Sequence, residues 1–88
     1  MMMRRPVLQN AKLLVADAAK AAKRGDDSEA VRLYERAMNH PNASITVVAG
    51  AAYEAGVLHE KLGNLDRATD RFRRAVGLNH KHSGAQLA

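Results

Sequence analysis

The chain has 88 residues and a mass of 9.6 kDa, room for one domain. It has no cysteine, which excludes a disulfide framework, a thiolate metal site and a cysteine nucleophile. Its 14 Lys and Arg against 9 Asp and Glu give a net charge of +5, which favours acidic partners without specifying nucleic acid. The only aromatics are Tyr34, Tyr53 and Phe72, and alanine supplies much of the hydrophobic content. A single core in so short a chain rarely yields more than about 3–5 kcal/mol, so close helix packing or self-association has to supply stability.

In chain order, Met1 to Arg5 is charged like the start of an export signal. However, Gln9, Asn10, Lys12 and Asp17 interrupt what would be its apolar stretch. No run approaches the roughly 18 apolar residues of a membrane span, so a soluble cytoplasmic domain with no membrane contact is expected. Breaks at Gly25–Ser28, Asn39–Asn42, Gly63–Asn64 and Asn79–Gly84 leave four segments, about 7–24, 28–39, 44–62 and 65–78. All are rich in helix-forming Ala, Leu, Lys, Arg and Glu, and none alternates with period two. Four helices follow.

Pro6 suits the first turn of helix one. Asp26 suits the N-cap of helix two, with Glu29 placed to complete a capping box, and Ser44 and Asn64 suit the caps of helices three and four. Gly25 and Gly63 stand where a helix end takes a left-handed residue. Helix two has one apolar stripe, Ala30, Leu33, Tyr34, Ala37 and Met38; helix four repeats it with Leu65, Ala68, Phe72, Ala75 and Val76. The opposite faces carry Arg32, Glu35 and Arg36, and Arg67, Asp70, Arg71 and Arg74. They read as solvated, with surface pairs Glu29–Arg32 and Asp70–Arg74.

Sliding the sequence against itself by 38 residues places Gly25 on Gly63, Asp26 on Asn64, Ala30 on Ala68, Tyr34 on Phe72, Ala37 on Ala75 and Ala18 on Gly56. Small residues meet small ones and aromatics meet aromatics. The chain therefore reads as two copies of a helix–turn–helix, about 7–42 and 44–80, in one domain over 7–80. Residues 1–6 and 81–88 form tails, the second opening like a further helix. Pro6 and Ser44 also align, so both first helices are expected to be one turn longer at the start.

These residues resemble the tetratricopeptide repeat, a W-x₂-L-G-x₂-Y helix followed by a helix with A-x₃-F. Ala52, Ala55, Gly56 and His59 stand at the first-helix positions of copy two, followed by Ala68-x₃-Phe72 and Ala75. Copy one offers Leu14, Asp17, Ala18 and Ala21, then Ala30-x₃-Tyr34 and Ala37. The period departs from the family's 34 by one helical turn, and the terminal proline is displaced to Pro41 in copy one and replaced by His80 in copy two. The resemblance implies an all-α fold, a short right-handed α-solenoid, with Ala or Gly at each helix crossing and an aromatic plugging the space below. A bundle similar to the microtubule-interacting and transport domains is the alternative for the first hairpin. The second A-x₃-F copy argues against it.

The same resemblance implies a non-catalytic module that binds a peptide or helix of another protein in a concave groove. The implied groove residues are Lys12, Val15, Ala19, Ala22 and Lys23 from copy one, and Gly50, Tyr53, Val57, Glu60 and Lys61 from copy two. Tyr53 is the expected anchor, and Lys23 and Lys61 are placed to select acidic ligands. The family's carboxylate clamp for chaperone tails is missing, with Val15, Ala19 and Glu54 at its positions. Two repeats are fewer than a solenoid normally needs, so the apolar edge at Leu65, Phe72 and Val76 is expected to be covered by more repeat or by a second copy in a homodimer.

Nothing in the sequence assembles a catalytic site, a cofactor loop or a closed metal site. His80 and His82 have no third ligand of known position, His59 reads as packed between helices, and turn chemistry accounts for Asp26 and Asp27. Arg67, Arg71, Arg73 and Arg74 in the last helix raise nucleic-acid binding as the alternative function. Asp66 and Asp70 interleave with them and no exposed aromatic is left for base stacking, which disfavours it.

Overall fold

The structure, a computed structural model, describes the backbone of residues 10–87 and the side chains of residues 10–78. It is all-helical, with α1 Ala11–Lys23, α2 Asp27–Met38, α3 Ile45–Lys61 and α4 Leu65–Leu87. Each helix packs on its neighbours in sequence, and α1 also meets α3 along one edge.

The two hairpin turns are built alike. After α1, the Asp26 N–H donates to the Ala21 carbonyl at 2.9 Å and the Gly25 N–H to Ala22 at 3.0 Å. After α3, 38 residues on, Asn64 donates to His59 at 2.8 Å and Gly63 to Glu60 at 3.1 Å. Both are Schellman ends, which need a left-handed residue, and Gly25 and Gly63 supply it with φ of 83° and 85°. The 38-residue register is therefore present atom for atom in the turns.

The helix starts depart from the expected pattern in two places. Asn10 is extended and its side chain accepts from the Leu13 N–H at 2.9 Å, so α1 begins at Ala11 rather than at 7. A short amide so placed competes for the first free donors and stops the helix. With Ser44 capping α3 through the Val47 N–H at 3.2 Å, only α3 carries the extra turn. Pro6 lies outside the described residues. The capping box at Asp26 is half formed. Asp26 accepts from the Glu29 N–H at 3.3 Å, but its own N–H is already committed to the Schellman end, and the Glu29 carboxylate grips Arg32 at 2.8 and 2.9 Å instead.

The last helix does not stop at 78, and no fifth helix opens at 83, since α4 runs on to Leu87. Asn79, Ser83 and Gly84 are poor helix formers, yet none removes a backbone donor as proline does, and a lone Gly costs only about 1 kcal/mol. The side chains of His80 and His82 lie outside the described residues.

The core is alanine laid between a few large side chains. Ala18, Ala21, Ala30, Ala37, Ala52 and Ala55 are fully enclosed, around Leu14, Leu33, Tyr34, Met38 and Leu58. Leu14 is the large side chain most completely buried, at 1% exposure. Crossing distance is set by Gly56 in the second hairpin, where a Cβ atom would lie 2.8 Å from the Phe72 ring.

Candidate functional site

Three surface features bring chemistry-bearing residues together. The first is a hollow of about 350 Å³ between the outer faces of α1 and α3, lined by Lys12 and Val15 on one side and Thr46, Val47, Gly50, Ala51 and Glu54 on the other. Tyr34 of α2 forms its floor. Its ring is only 5% exposed, and among the described residues its hydroxyl has no hydrogen-bond partner. Burial, and secondarily the Glu54 carboxylate, push the Tyr34 phenol above its ordinary pKa, which keeps it a neutral donor. Gly50 leaves the wall open, with nothing within 4 Å of where its Cβ would stand.

Of the expected groove residues, this hollow gathers Lys12, Val15 and Gly50. Ala19, Lys23, Glu60 and Lys61 are exposed, and Ala22 and Val57 half-buried, farther along the same helices and outside it. Tyr53 also stands apart. Its ring leans on Phe72 with centroids 5.6 Å apart and planes at 54°, although 54% of the residue stays exposed. Thr46, Val47 and Ala51 are not among the groove residues expected from sequence, and Glu54 stands out there only as a departure from the chaperone-tail clamp. A longer α3 brings its first turns level with α1, and that offset is invisible in a 38-residue alignment.

The second feature joins three helices. One Glu35 carboxylate oxygen accepts from Arg71 Nε at 2.6 Å and lies 2.9 Å from His59 Nε2; Asn64 Nδ2 is 3.3 Å from His59 Nδ1. A proton on Nε2 satisfies both ring nitrogens, one donating to Glu35 and the other accepting from the Asn64 amide. Burial raises the Glu35 carboxyl, but the hydrogen bonds from Arg71 and His59 outweigh it and hold the pKa below its usual value. His59 is 4% exposed, packed between helices as expected. Glu35 and Arg71 are not on solvated faces, because the cluster draws both inward. Asp70 pairs with Arg71 rather than with Arg74.

Around this cluster lies a hollow of about 600 Å³ between α2 and α4, lined by Arg32, Arg36, Arg67 and Arg71 among others. Arg32 and Arg71 are paired, whereas Arg36 and Arg67 have no ion pair among the described residues. Arg73 points elsewhere, lining an apolar depression on the other side of α4. The arginines of the last helix are thus divided between two faces, and one face encloses its own anion, Glu35.

The third feature is that depression, formed by Thr69, Phe72, Arg73, Val76 and Gly77. Val76 is 66% exposed and Phe72 half-buried; Leu65, also exposed, begins the same helix. These are the three residues expected to be covered.

Among the described residues no three His, Asp or Glu side chains are grouped to hold a metal, and no helix is long and apolar enough to cross a membrane. No protein-family model matches the chain, and neither a curated protein nor a solved structure does.

Proposed function

We propose that this chain is a non-catalytic protein-interaction module, two tetratricopeptide-like repeats stacked as a short right-handed superhelix that binds a peptide segment between α1 and α3. The observation that carries this reading is the Tyr34 floor. Tyr34 has no hydrogen-bond partner among the described residues, so its hydroxyl is free to donate, and it lies beneath an open apolar wall of Val15, Val47 and Gly50. A backbone carbonyl of a bound segment supplies the acceptor. Lys12 on one rim and Glu54 on the other fix the orientation of the segment, while Lys23 and Lys61 farther along favour acidic residues in its remainder.

The test is selection of random displayed peptides on the full chain, followed by Kd measurement on Gly50→Leu. A leucine there faces open space, so the fold stays intact while the hollow is filled. Selected peptides should lose at least about tenfold in affinity, or 1.4 kcal/mol. Equal binding to both proteins places the site elsewhere. The nucleic-acid alternative is tested separately with labelled single strand and duplex, since binding below about 1 μM at physiological salt would favour it.

A further inference from the structure

The two hairpins share a register, so a position buried in one copy and exposed in the other marks what a neighbouring hairpin covers. On α3, Ala51, Ala55 and Leu58 are buried, and their equivalents on α1 are Leu13, Asp17 and Lys20, all exposed. On α2, Tyr34 and Met38 are buried at 5% and 3%; their equivalents on α4 are half-buried Phe72 and Val76, 66% exposed. The leading face of the molecule is thus largely polar and its trailing face mostly apolar, with Arg73 lining the depression beside Phe72 and Val76.

We infer that the trailing face of α4 is an isologous dimer interface, covered by the same face of a second copy of this chain. Head-to-tail stacking is the alternative, and the leading face does not fit it. It would set Asp17 and Lys20 where Ala55 and Leu58 sit internally, burying both charges against Phe72 and Val76. A twofold axis instead brings apolar surface onto apolar surface and closes the assembly at two. Among the described residues no further helix covers this face. The α2 helix ends at Met38, but α4 continues past the equivalent Val76 without a break. At 1.5 Å per residue, the part of α4 from 65 to 78 offers a face about 21 Å long. Thr69 and Gly77 are small enough for a partner helix to approach closely, and Tyr53, tilted against Phe72, widens the strip.

The experiment is sedimentation equilibrium of the full chain from roughly 1 to 100 μM, where association is read from concentration dependence. The expected species has twice the 9.6 kDa chain mass. Val76→Glu should weaken association about a hundredfold or more, because a charge is buried at the axis, with unchanged far-UV circular dichroism. Leu13→Glu, on the leading face, should leave the dimer intact. The chain has no native cysteine, so Val76→Cys gives a second reading: mild oxidation should link it to its own copy, whereas Leu13→Cys should stay unlinked. A wild-type monomer throughout the range overturns the proposal, whether residues 1–9 or another protein then occupies the face. So does growth beyond the dimer that Leu13→Glu abolishes, because that is head-to-tail stacking.

Discussion

Gly50 and Gly56 are six residues apart on α3, and the same substitution should stabilise at the first site and not at the second. In a helix interior, Gly→Ala gains about 0.8–1.0 kcal/mol from backbone entropy alone. At Gly50 the new methyl meets nothing within 4 Å, so that gain should appear in full. At Gly56 the Cβ would stand 2.8 Å from two carbons of the Phe72 ring, closer than real contacts allow, so the ring has to shift. Overpacking of this kind costs about 1–3 kcal/mol. Phe72 has room to retreat on its open side, which keeps the cost near the lower end, but retreat also separates it from Tyr53, 5.6 Å away. The net effect at Gly56 is then between neutral and about 1 kcal/mol of loss, leaving the two variants at least about 1 kcal/mol apart. For a domain of this size that is a Tm difference of about 4 °C or more, measurable by thermal circular dichroism and confirmed by urea midpoints. Equal stabilisation at both sites would refute the claim that helix approach requires glycine at 56.

Leu14→Ala should cost about 3 kcal/mol or more through lost burial and the cavity left behind, enough to leave much of the chain unfolded at 25 °C by circular dichroism. At Gly63, where φ is 85°, alanine should destabilise by about 1–2 kcal/mol, read as a fall in urea midpoint with unchanged m. Stability should also fall on acidification through the Glu35 cluster. Despite burial, its carboxyl is held below its ordinary value in the fold, mainly by the hydrogen bonds from Arg71 and His59, so its contribution is complete above the unfolded-state value and is lost as pH drops through the lower folded one. Glu35→Gln should therefore lower stability at pH 7 and flatten its decline below pH 4.5; an unchanged acid limb in urea titrations would show that the cluster is not linked to folding.

Local chemistry was readable wherever a few adjacent residues decide it. Gly25-Asp26 and Gly63-Asn64 specify two Schellman turns, and the spacing of Ala30, Tyr34 and Ala37 against Ala68, Phe72 and Ala75 specifies two equivalent hairpins. What escaped depends on a competition or on distant groups. Pro6 offers a helix start in the sequence, and only the bond from the Leu13 N–H to the Asn10 side chain shows that α1 starts at Ala11 instead. Glu35 lies on the polar face of an amphipathic helix, so its burial follows from the reach of Arg71, 36 residues on, and of His59, 24 residues on. The floor of the α1–α3 hollow is Tyr34, a residue whose pattern says only that it is core.

Tyr34 and Phe72 hold one position in two contexts, and their difference is the strongest internal evidence about what each surface is for. Where α3 follows, the aromatic is enclosed at 5% exposure and becomes the floor of a hollow whose walls belong to successive hairpins. Where no further helix follows among the described residues, the equivalent ring stays half open and has Tyr53 as partial cover. Tyr53 thus serves the uncovered end rather than the α1–α3 hollow. That position alone accounts for an exposed aromatic in a chain with so few of them. An alanine core brings helices close but buries little area per residue, and at about 25 cal/mol per Å² each unburied large side chain is a sizeable fraction of a margin of about 3–5 kcal/mol. In the proposed dimer, covering Phe72, Tyr53 and Val76 would couple association to folding, and thermal stability should then rise with protein concentration. A Tm that stays constant over a hundredfold dilution, from about 100 to 1 μM, would separate folding from association and remove this coupling.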